Sequence, residues 1–220
     1  MLRLLNLELQ KLLLNRVSKI LIFVSFILPF FVILLSSLKI NVFGFFTLEL
    51  GDLGIFNFPI IWHITTFFAA QFKFFFAIVV VSMIGNEYSN KTIKQNLIDG
   101  LSKKEFILSK FYFILAYTVL SSLFIGIATL VIGLIHSSHT DLSIIIIDIE
   151  FIAAYFFKLL GFFSFCQFMA VLIKRSAFAL GALIVTAFVE LIIYENLQWN
   201  WANEEIATNV MMFAPFTALY

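Results

Sequence analysis

Five apolar runs constrain the fold more than any other feature of this sequence. The runs are Ile20–Leu38, His63–Ile84, Phe106–Ile135, Ser143–Ile173 and Ala177–Tyr194. A helix needs about 20 apolar residues to cross the hydrocarbon core of a membrane. Because the backbone in lipid must satisfy its own hydrogen bonds, continuous runs of this length predict helices and not strands. We therefore predict an all-α, polytopic transmembrane protein with five spans, surrounded by membrane lipids.

Composition excludes a soluble domain. The chain is 62% hydrophobic and only 12% charged, whereas soluble domains carry about 25% charged residues. The single cysteine, Cys166, excludes an intrachain disulfide and a cysteine metal cluster. The three histidines do not have the spacing of a metal site on one helix face. We expect no metal, no cofactor and no nucleic-acid partner.

The positive charges indicate the orientation in the membrane. Lysine and arginine concentrate before the first run, around the loop between the second and third, and between the fourth and fifth. The residues are Arg3, Lys11, Arg16, Lys19, Lys91, Lys94, Lys103, Lys104, Lys110, Lys174 and Arg175. Short loops rich in these residues remain in the cytoplasm. This pattern predicts a multi-pass protein of the cell membrane, most simply a bacterial cytoplasmic membrane, with a cytoplasmic N-terminus.

The two ends of the chain carry amphipathic segments. Residues 1–19 are too long and too mixed for a cleaved signal, so we predict an amphipathic helix that leads into the first span. Residues 196–220 contain no further apolar run of spanning length and predict an outer interfacial or re-entrant segment. Such an ending suggests that the natural protein continues into another span.

One polar stretch, GNEYSNKTIKQNLIDGLSKKEF, separates the second and third runs. We predict a short helix capped by Ser89 or Asn90, followed by a turn at Asp99–Gly100. The sequence from Ser102 to Glu105 is a capping box, which predicts the start of the third span. The stretch is therefore expected to be ordered.

The short helix carries a small aliphatic ridge made of Ile93, Leu97 and Ile98, with Lys91 and Lys94 beside it. A ridge of this size needs a groove in another protein to become buried. The alternative is a solvated basic loop that only enforces topology.

These residues resemble the membrane subunits of ATP-binding-cassette exporters of the type-2 permease class. Glu87 and Thr92 match the acid and the threonine of an E-x-x-x-G-T segment, and Leu97 with Ile98 matches an aliphatic pair. Ser102–Lys103 and Lys110 match a polar-basic step and a terminal lysine. Lys91 stands where glycine is usual, and Gly100 stands where proline is frequent.

The resemblance implies that residues 1–220 form a single permease domain in which residues 86–101 are a coupling helix and turn. This segment would dock on a separate cytoplasmic ABC ATPase, and a second permease subunit would complete a homodimer or heterodimer. The coupling residues would be Glu87, Lys91, Thr92, Ile93, Lys94, Leu97 and Ile98. The family has six spans, so the sixth would be missing here.

The chain contains no G-x-x-x-x-G-K-[ST] phosphate loop, so it cannot bind ATP by that means. ATP hydrolysis is therefore expected on a separate subunit, and we predict that this chain is not an enzyme.

Charged residues that lie inside the predicted spans include Lys73, Asp148, Glu150, Lys158 and Glu190, and Lys73 and Lys158 are the deeper ones. A lysine in hydrocarbon needs a partner, water or a route to the interface. At the helical rise per residue, Lys73 and Glu150 differ in depth by about 6 Å, which a long lysine can bridge. We hypothesise a Lys73–Glu150 contact or a polar inner path at the seam between two subunits.

Two other functions remain open from the sequence. One is a non-transporting membrane scaffold or immunity-type protein that binds a partner through the same basic loop. The other is an ion-coupled secondary transporter that uses Lys73, Glu150 and Lys158, although inverted repeats are not evident.

Overall fold

The fold is described by a computed structural model over residues 2–36, 40–42, 46–48, 54–98, 100–138 and 140–200. Most of these residues are helical. The helices are α1 (Leu2–Leu14), α2 (Arg16–Ser36), α3 (Ile60–Gln71), α4 (Lys73–Ser89), α5 (Thr92–Ile98), α6 (Lys103–His136), α7 (Leu142–Ile146), α8 (Glu150–Ile173) and α9 (Ser176–Asn200).

Five segments of the described chain are long and apolar enough to cross a membrane. They are Arg16–Leu34, Ile60–Ser89, Lys103–His136, Leu142–Ile173 and Ser176–Leu197. Each overlaps one of the five predicted runs. The prediction of an all-α polytopic membrane protein with five spans is confirmed.

The N-terminal amphipathic helix is shorter than predicted. Helix α1 ends at Leu14, and α2 already begins at Arg16. The side chain of Asn15 accepts a hydrogen bond from the backbone N–H of Val17 over 3.0 Å, so Asn15 caps the start of α2. Residues 16–19 therefore belong to the first span.

Two spans that were predicted as continuous runs contain breaks. The second span divides at Phe72, whose N–H bonds to the carbonyl of Ala69 over 3.2 Å in a tighter turn than the α-helix. The fourth span begins with α7 and turns at Asp148, which has a φ of 64°. Neither break coincides with proline or glycine, so the local sequence gave no signal for it.

A short antiparallel hairpin follows the first span. Strand β1 (Ile40–Val42) pairs with β2 (Phe46–Leu48), with Ile40 opposite Leu48. This hairpin was not predicted from the sequence. At the other end of the chain, α9 continues through Asn200, so residues 196–200 of the predicted re-entrant segment are helical. Residues 201–220 lie outside the described residues.

The chain divides into two compact units. The first unit contains residues within Met1–Leu14, Ala77–Ile114 and Leu160–Tyr220, and the second contains residues within Asn15–Phe76 and Leu115–Leu159. The first unit holds α1, the polar stretch and α9.

The second unit has an aromatic and aliphatic core. Its buried members are Ile33, Phe56, Phe58, Ile61, Trp62, Ile132 and Ile145. The indole N–H of Trp62 donates to the carbonyl of Ile145 over 2.9 Å, which satisfies the polar atom of this large side chain. The ring of Phe58 packs directly against Gly133, where any side chain would collide with it.

Buried hydroxyl groups also connect the helices of the second unit. We call the following three pairs the hydroxyl network: Tyr117 with Ser25 at 2.8 Å, Ser121 with Tyr155 at 3.2 Å, and Thr129 with Thr65 at 2.8 Å. All six side chains are buried. The network joins α6 to α2, α8 and α3 by neutral hydrogen bonds.

Candidate functional site

The polar stretch begins differently from the prediction. Helix α4 continues through Ser89, and α5 does not start until Thr92. The proposed cap at Ser89 or Asn90 is therefore wrong. Lys91 makes the reversal between the two helices with a φ of 58°, in the left-handed region that favours glycine. This is the position where the resembled segment has its glycine.

The end of α5 follows the prediction. Gly100 has a φ of 94°, and the N–H of Leu101 donates to the carbonyl of Asn96 over 2.9 Å. This bond is the one that closes a helix whose C′ residue is left-handed. Asp99, the other residue of the predicted turn, lies outside the described residues.

The capping box at the start of α6 is confirmed. The hydroxyl oxygen of Ser102 accepts from the N–H of Glu105 over 3.1 Å. The N–H of Ser102 donates back to the Glu105 carboxylate over 2.9 Å. The chain that connects α5 to α6 is thus fixed by backbone and side-chain hydrogen bonds.

Helix α5 exposes an aliphatic side chain at its end. Ile98 is 84% exposed, whereas Ile93 is half-buried. Lys91 and Lys94 are both exposed. The side chain of Leu97 is not among the described ones. The predicted ridge therefore has one strongly exposed member, Ile98.

Thr92 connects α5 to the end of α4. Its hydroxyl donates to the backbone carbonyl of Glu87 over 3.2 Å. The first residue of α5 is therefore held against the second span, which explains why a hydroxyl residue suits this position.

The carboxylate of Glu87 belongs to a buried ionic cluster. We use this name for Glu8, Lys11, Glu87 and Lys110. The ammonium group of Lys110 is completely buried and donates to Glu8 and, over 2.6 Å, to Glu87. Because these two acids lie on α1 and α4 while Lys110 lies on α6, the cluster connects three helices.

Lys11 completes the charge balance of the ionic cluster. Its ammonium group lies 3.2 Å from Glu87 and 3.5 Å from Glu8. Partial burial lowers the pKa of Lys11, but the two carboxylates outweigh this effect and raise the pKa above its ordinary value. Two acids and two lysines give the cluster a formal charge of zero. Since Ser109 also donates to Glu8 over 3.3 Å, hydrogen bonding supports the burial.

The motif indicated Glu87 and Lys110, but Glu8 and Lys11 were not predicted to be their partners. Glu8 is separated from Lys110 by 102 positions, so no local pattern joins them. One signal was available, because Glu8 is the single acid in the helix Leu2–Leu14. A lone acid in an apolar helix favours a buried basic partner.

The charged residues inside the spans lie in different surroundings. Lys73 is buried directly after the break at Phe72, with its ammonium group 5.7 Å from the ring centre of Phe74. Glu150 is exposed at the first position of α8, and Lys158 is half-buried in the same helix. The Lys73–Glu150 contact and the polar inner path stay predictions. Within the described chain, no group of three or more His, Cys, Asp or Glu side chains could hold a metal ion.

A protein-family model matches most of the chain. No curated protein and no solved structure matches the chain significantly. The model of a protein family described as ABC-2 family transporter protein matches residues 4–193. The match includes most of α1, the polar stretch and all five spans up to Ile193. The chain therefore belongs to the ABC-2 transporter family, as a multi-pass, non-catalytic permease component of an ABC-type transporter.

Proposed function

We propose that this permease couples to a separate cytoplasmic ABC ATPase through residues 86–101, with α5 as the docking helix. ABC-2 permeases generally pair with such an ATPase. The observation that carries the proposal is Ile98, which is 84% exposed on a helix whose two ends are fixed. An exposed aliphatic side chain on an ordered helix is suited to fill a pocket in a partner protein.

The expected contact energy comes mainly from the aliphatic side chains. Full burial of one isoleucine contributes about 1.5 to 3 kcal/mol. Ile93 is half-buried already, so Ile98 has the most surface to gain. The exposed Lys91 and Lys94 would accelerate and orient the encounter with an acidic rim on the ATPase.

The ionic cluster supports the docking helix from the membrane side. Thr92 ties α5 to the carbonyl of Glu87, while the carboxylate of Glu87 binds Lys110. A displacement of α5 is therefore expected to displace α4, α6 and α1 together. In this role Glu87 positions the docking helix, and it need not touch the ATPase.

We place the lysine-rich side of the protein in the cytoplasm of a cell, with the N-terminus on that side. The charge pattern supports this orientation because short cytoplasmic loops retain lysine and arginine. Single cysteines at the exposed positions Lys104 and His136 test it with an impermeant thiol reagent on intact cells. Labelling at 136 alone is expected, and labelling at 104 alone would reverse the orientation.

Co-purification tests the docking proposal. The permease is co-expressed with a candidate cytoplasmic ABC ATPase from the same organism, and the double variant Ile93→Asp with Ile98→Asp is compared with the wild type. We expect the variant to reach the membrane and lose the ATPase, because two carboxylates would have to enter an apolar pocket. Leu14→Asp is the matched control, since Leu14 has the same 84% exposure as Ile98. Equal ATPase recovery with the double variant would overturn the proposal.

A second permease subunit is also proposed, as a homodimer or a heterodimer. Helix α9 supports this because only 17% of its membrane-spanning part is buried within the chain. Lipid or another permease can cover such a surface. Native mass measurement of the complex should find two permease subunits with two ATPases, and a single permease per complex would contradict it.

A further inference from the structure

Gly85 lies where α4 meets the first residue of α9. A Cβ atom at Gly85 would be 2.6 Å from the backbone nitrogen of Ser176 and 2.8 Å from its Cβ. Both distances are shorter than van der Waals contact, and the nitrogen belongs to backbone that cannot rotate away. The two helices therefore touch through their backbones at this point, which requires glycine at position 85.

Helix α9 is buried along a narrow stripe. Ala179, Leu183 and Glu190 are buried at helical spacing. The neighbouring side chains of Phe178 and Val185 are 65% and 61% exposed. The stripe begins at the end of α9 where Ser176 touches Gly85, so this contact lies at the first turn of the helix.

Gly85 is also close to the docking helix along the chain. It precedes Glu87 by two residues within the same helix, α4. Glu87 accepts the hydroxyl of Thr92 through its carbonyl and binds Lys110 through its carboxylate. The C-terminal end of α4 therefore contacts both α5 and α9.

We propose that the Gly85–Ser176 contact transmits the movement of the docking helix to α9 when the ATPase binds nucleotide. This inference rests on the proposed function. Backbone contact without an intervening side chain leaves no space to absorb a displacement, so a shift of α4 must displace α9. Gly85 is thus a positioning residue of the transport cycle. A larger residue would separate the two helices and weaken this transmission.

The test measures the response of α9 to nucleotide in the purified permease–ATPase complex. A single cysteine replaces the exposed Ala177 in the first turn of α9, and the buried Cys166 is changed to alanine. The rate of maleimide labelling at position 177 is measured without nucleotide and with ATP plus vanadate. We expect nucleotide to change this rate in the otherwise native sequence.

Gly85→Ala should lose the nucleotide-dependent change while the complex still purifies. Gly181→Ala is the matched control in α9, because a Cβ there meets nothing within 4 Å. The control should keep the change. If Gly85→Ala does not accumulate, Ser176→Gly serves as the second variant, because it loosens the same contact by removing a Cβ and should also reduce the change.

Two outcomes overturn the inference while the complex remains intact. One is a preserved nucleotide response in Gly85→Ala or, where that variant fails to fold, in Ser176→Gly. The other is the absence of any response at position 177 in the wild-type background. Failure of the wild-type permease to bind the ATPase is a different result, which overturns the proposed function and this inference with it.

Discussion

The ionic cluster and the hydroxyl network are two buried polar regions built on different chemistry. The cluster uses two carboxylates and two ammonium groups to join α1, α4 and α6. The network uses neutral hydroxyls to join α6 to α2, α8 and α3. Removal of one member from a buried ion group leaves an uncompensated charge, whereas removal of a hydroxyl leaves a single unsatisfied atom. The same kind of side-chain deletion should therefore cost far more in the cluster.

This difference is consistent with different roles for the two regions. Charged groups give strong, directional connections between α1, α4 and α6. Hydroxyl groups give weak connections between helices that remain surrounded by hydrocarbon, where charge is expensive. The cluster is connected to α5 through Glu87 and Thr92, so the stability of the cluster matters for the coupling that we propose.

The largest expected effect is that of Lys110→Met. The side chain of Lys110 is fully buried between Glu8 and Glu87. After its loss, the partly exposed Lys11 is the one cation of the cluster that remains beside the two carboxylates. We expect the free energy of unfolding in detergent to fall by about 3 to 5 kcal/mol. Lys104→Met, at an exposed position of the same helix, is the control and should change it little.

Neutralisation of the acids sharpens this test. Adding Glu8→Gln and Glu87→Gln to Lys110→Met removes both carboxylate charges and leaves a charge only on Lys11, whose side chain is 45% exposed to water, so the triple variant should recover part of the lost stability. A triple variant less stable than Lys110→Met would mean that the hydrogen bonds and packing of the cluster contribute more to stability than its charges. A single Lys110→Met variant as stable as Lys104→Met would remove the distinction between the two regions.

The next largest effect is expected in the hydroxyl network. Tyr117→Phe removes the hydroxyl that donates to Ser25 over 2.8 Å but keeps the ring that stacks on Phe76. The loss should be about 0.5 to 1.5 kcal/mol, since the variant removes neutral buried hydrogen bonding and leaves no unpaired charge. Tyr112→Phe, at a half-buried position of α6, is the matched control. If Tyr117→Phe cost as much as Lys110→Met, charge would not be what separates the two regions.

The smallest effect concerns the backbone beside the ionic cluster. Lys91 has a φ of 58°, so Lys91→Gly should relieve strain and stabilise the loop by about 0.5 kcal/mol after the entropy cost of glycine. Lys94→Gly, inside α5, should instead destabilise the loop by about 1 kcal/mol. Amide hydrogen exchange across α5 measures the change in local stability caused by each variant. The same sign of change in the two variants would exclude strain at Lys91.

Local sequence patterns predicted the parts of this fold that depend on interactions between residues close together in the chain. The five spans followed from continuous apolar length, the turn at Gly100 from its left-handed conformation, and the start of α6 from the Ser102–Glu105 capping box. The cap proposed at Ser89 or Asn90 was wrong because α4 extends past Glu87 and leaves the reversal to Lys91. Here the tertiary contacts of Glu87 override the local preference of serine and asparagine for a cap.

Features that depend on distant residues could not be predicted. Glu8 and Lys110 lie 102 positions apart, and Gly85 meets Ser176 from a different span. The breaks at Phe72 and Asp148 occur without proline or glycine, inside runs whose composition fits a continuous helix. The resemblance to type-2 permeases did identify Glu87, Thr92 and Lys110 individually, although their mutual contacts emerge only in three dimensions.

Site-specific photocrosslinking tests the central claim most directly. A benzophenone amino acid is placed at position 98 and, in a separate protein, at position 14, since Ile98 and Leu14 are both 84% exposed in the permease. Each is irradiated in membranes that contain the co-expressed ATPase. The account predicts a covalent product with the ATPase from position 98 and none from position 14. Equal products from both positions, or none from position 98 while the complex is intact, would contradict α5 as the docking helix.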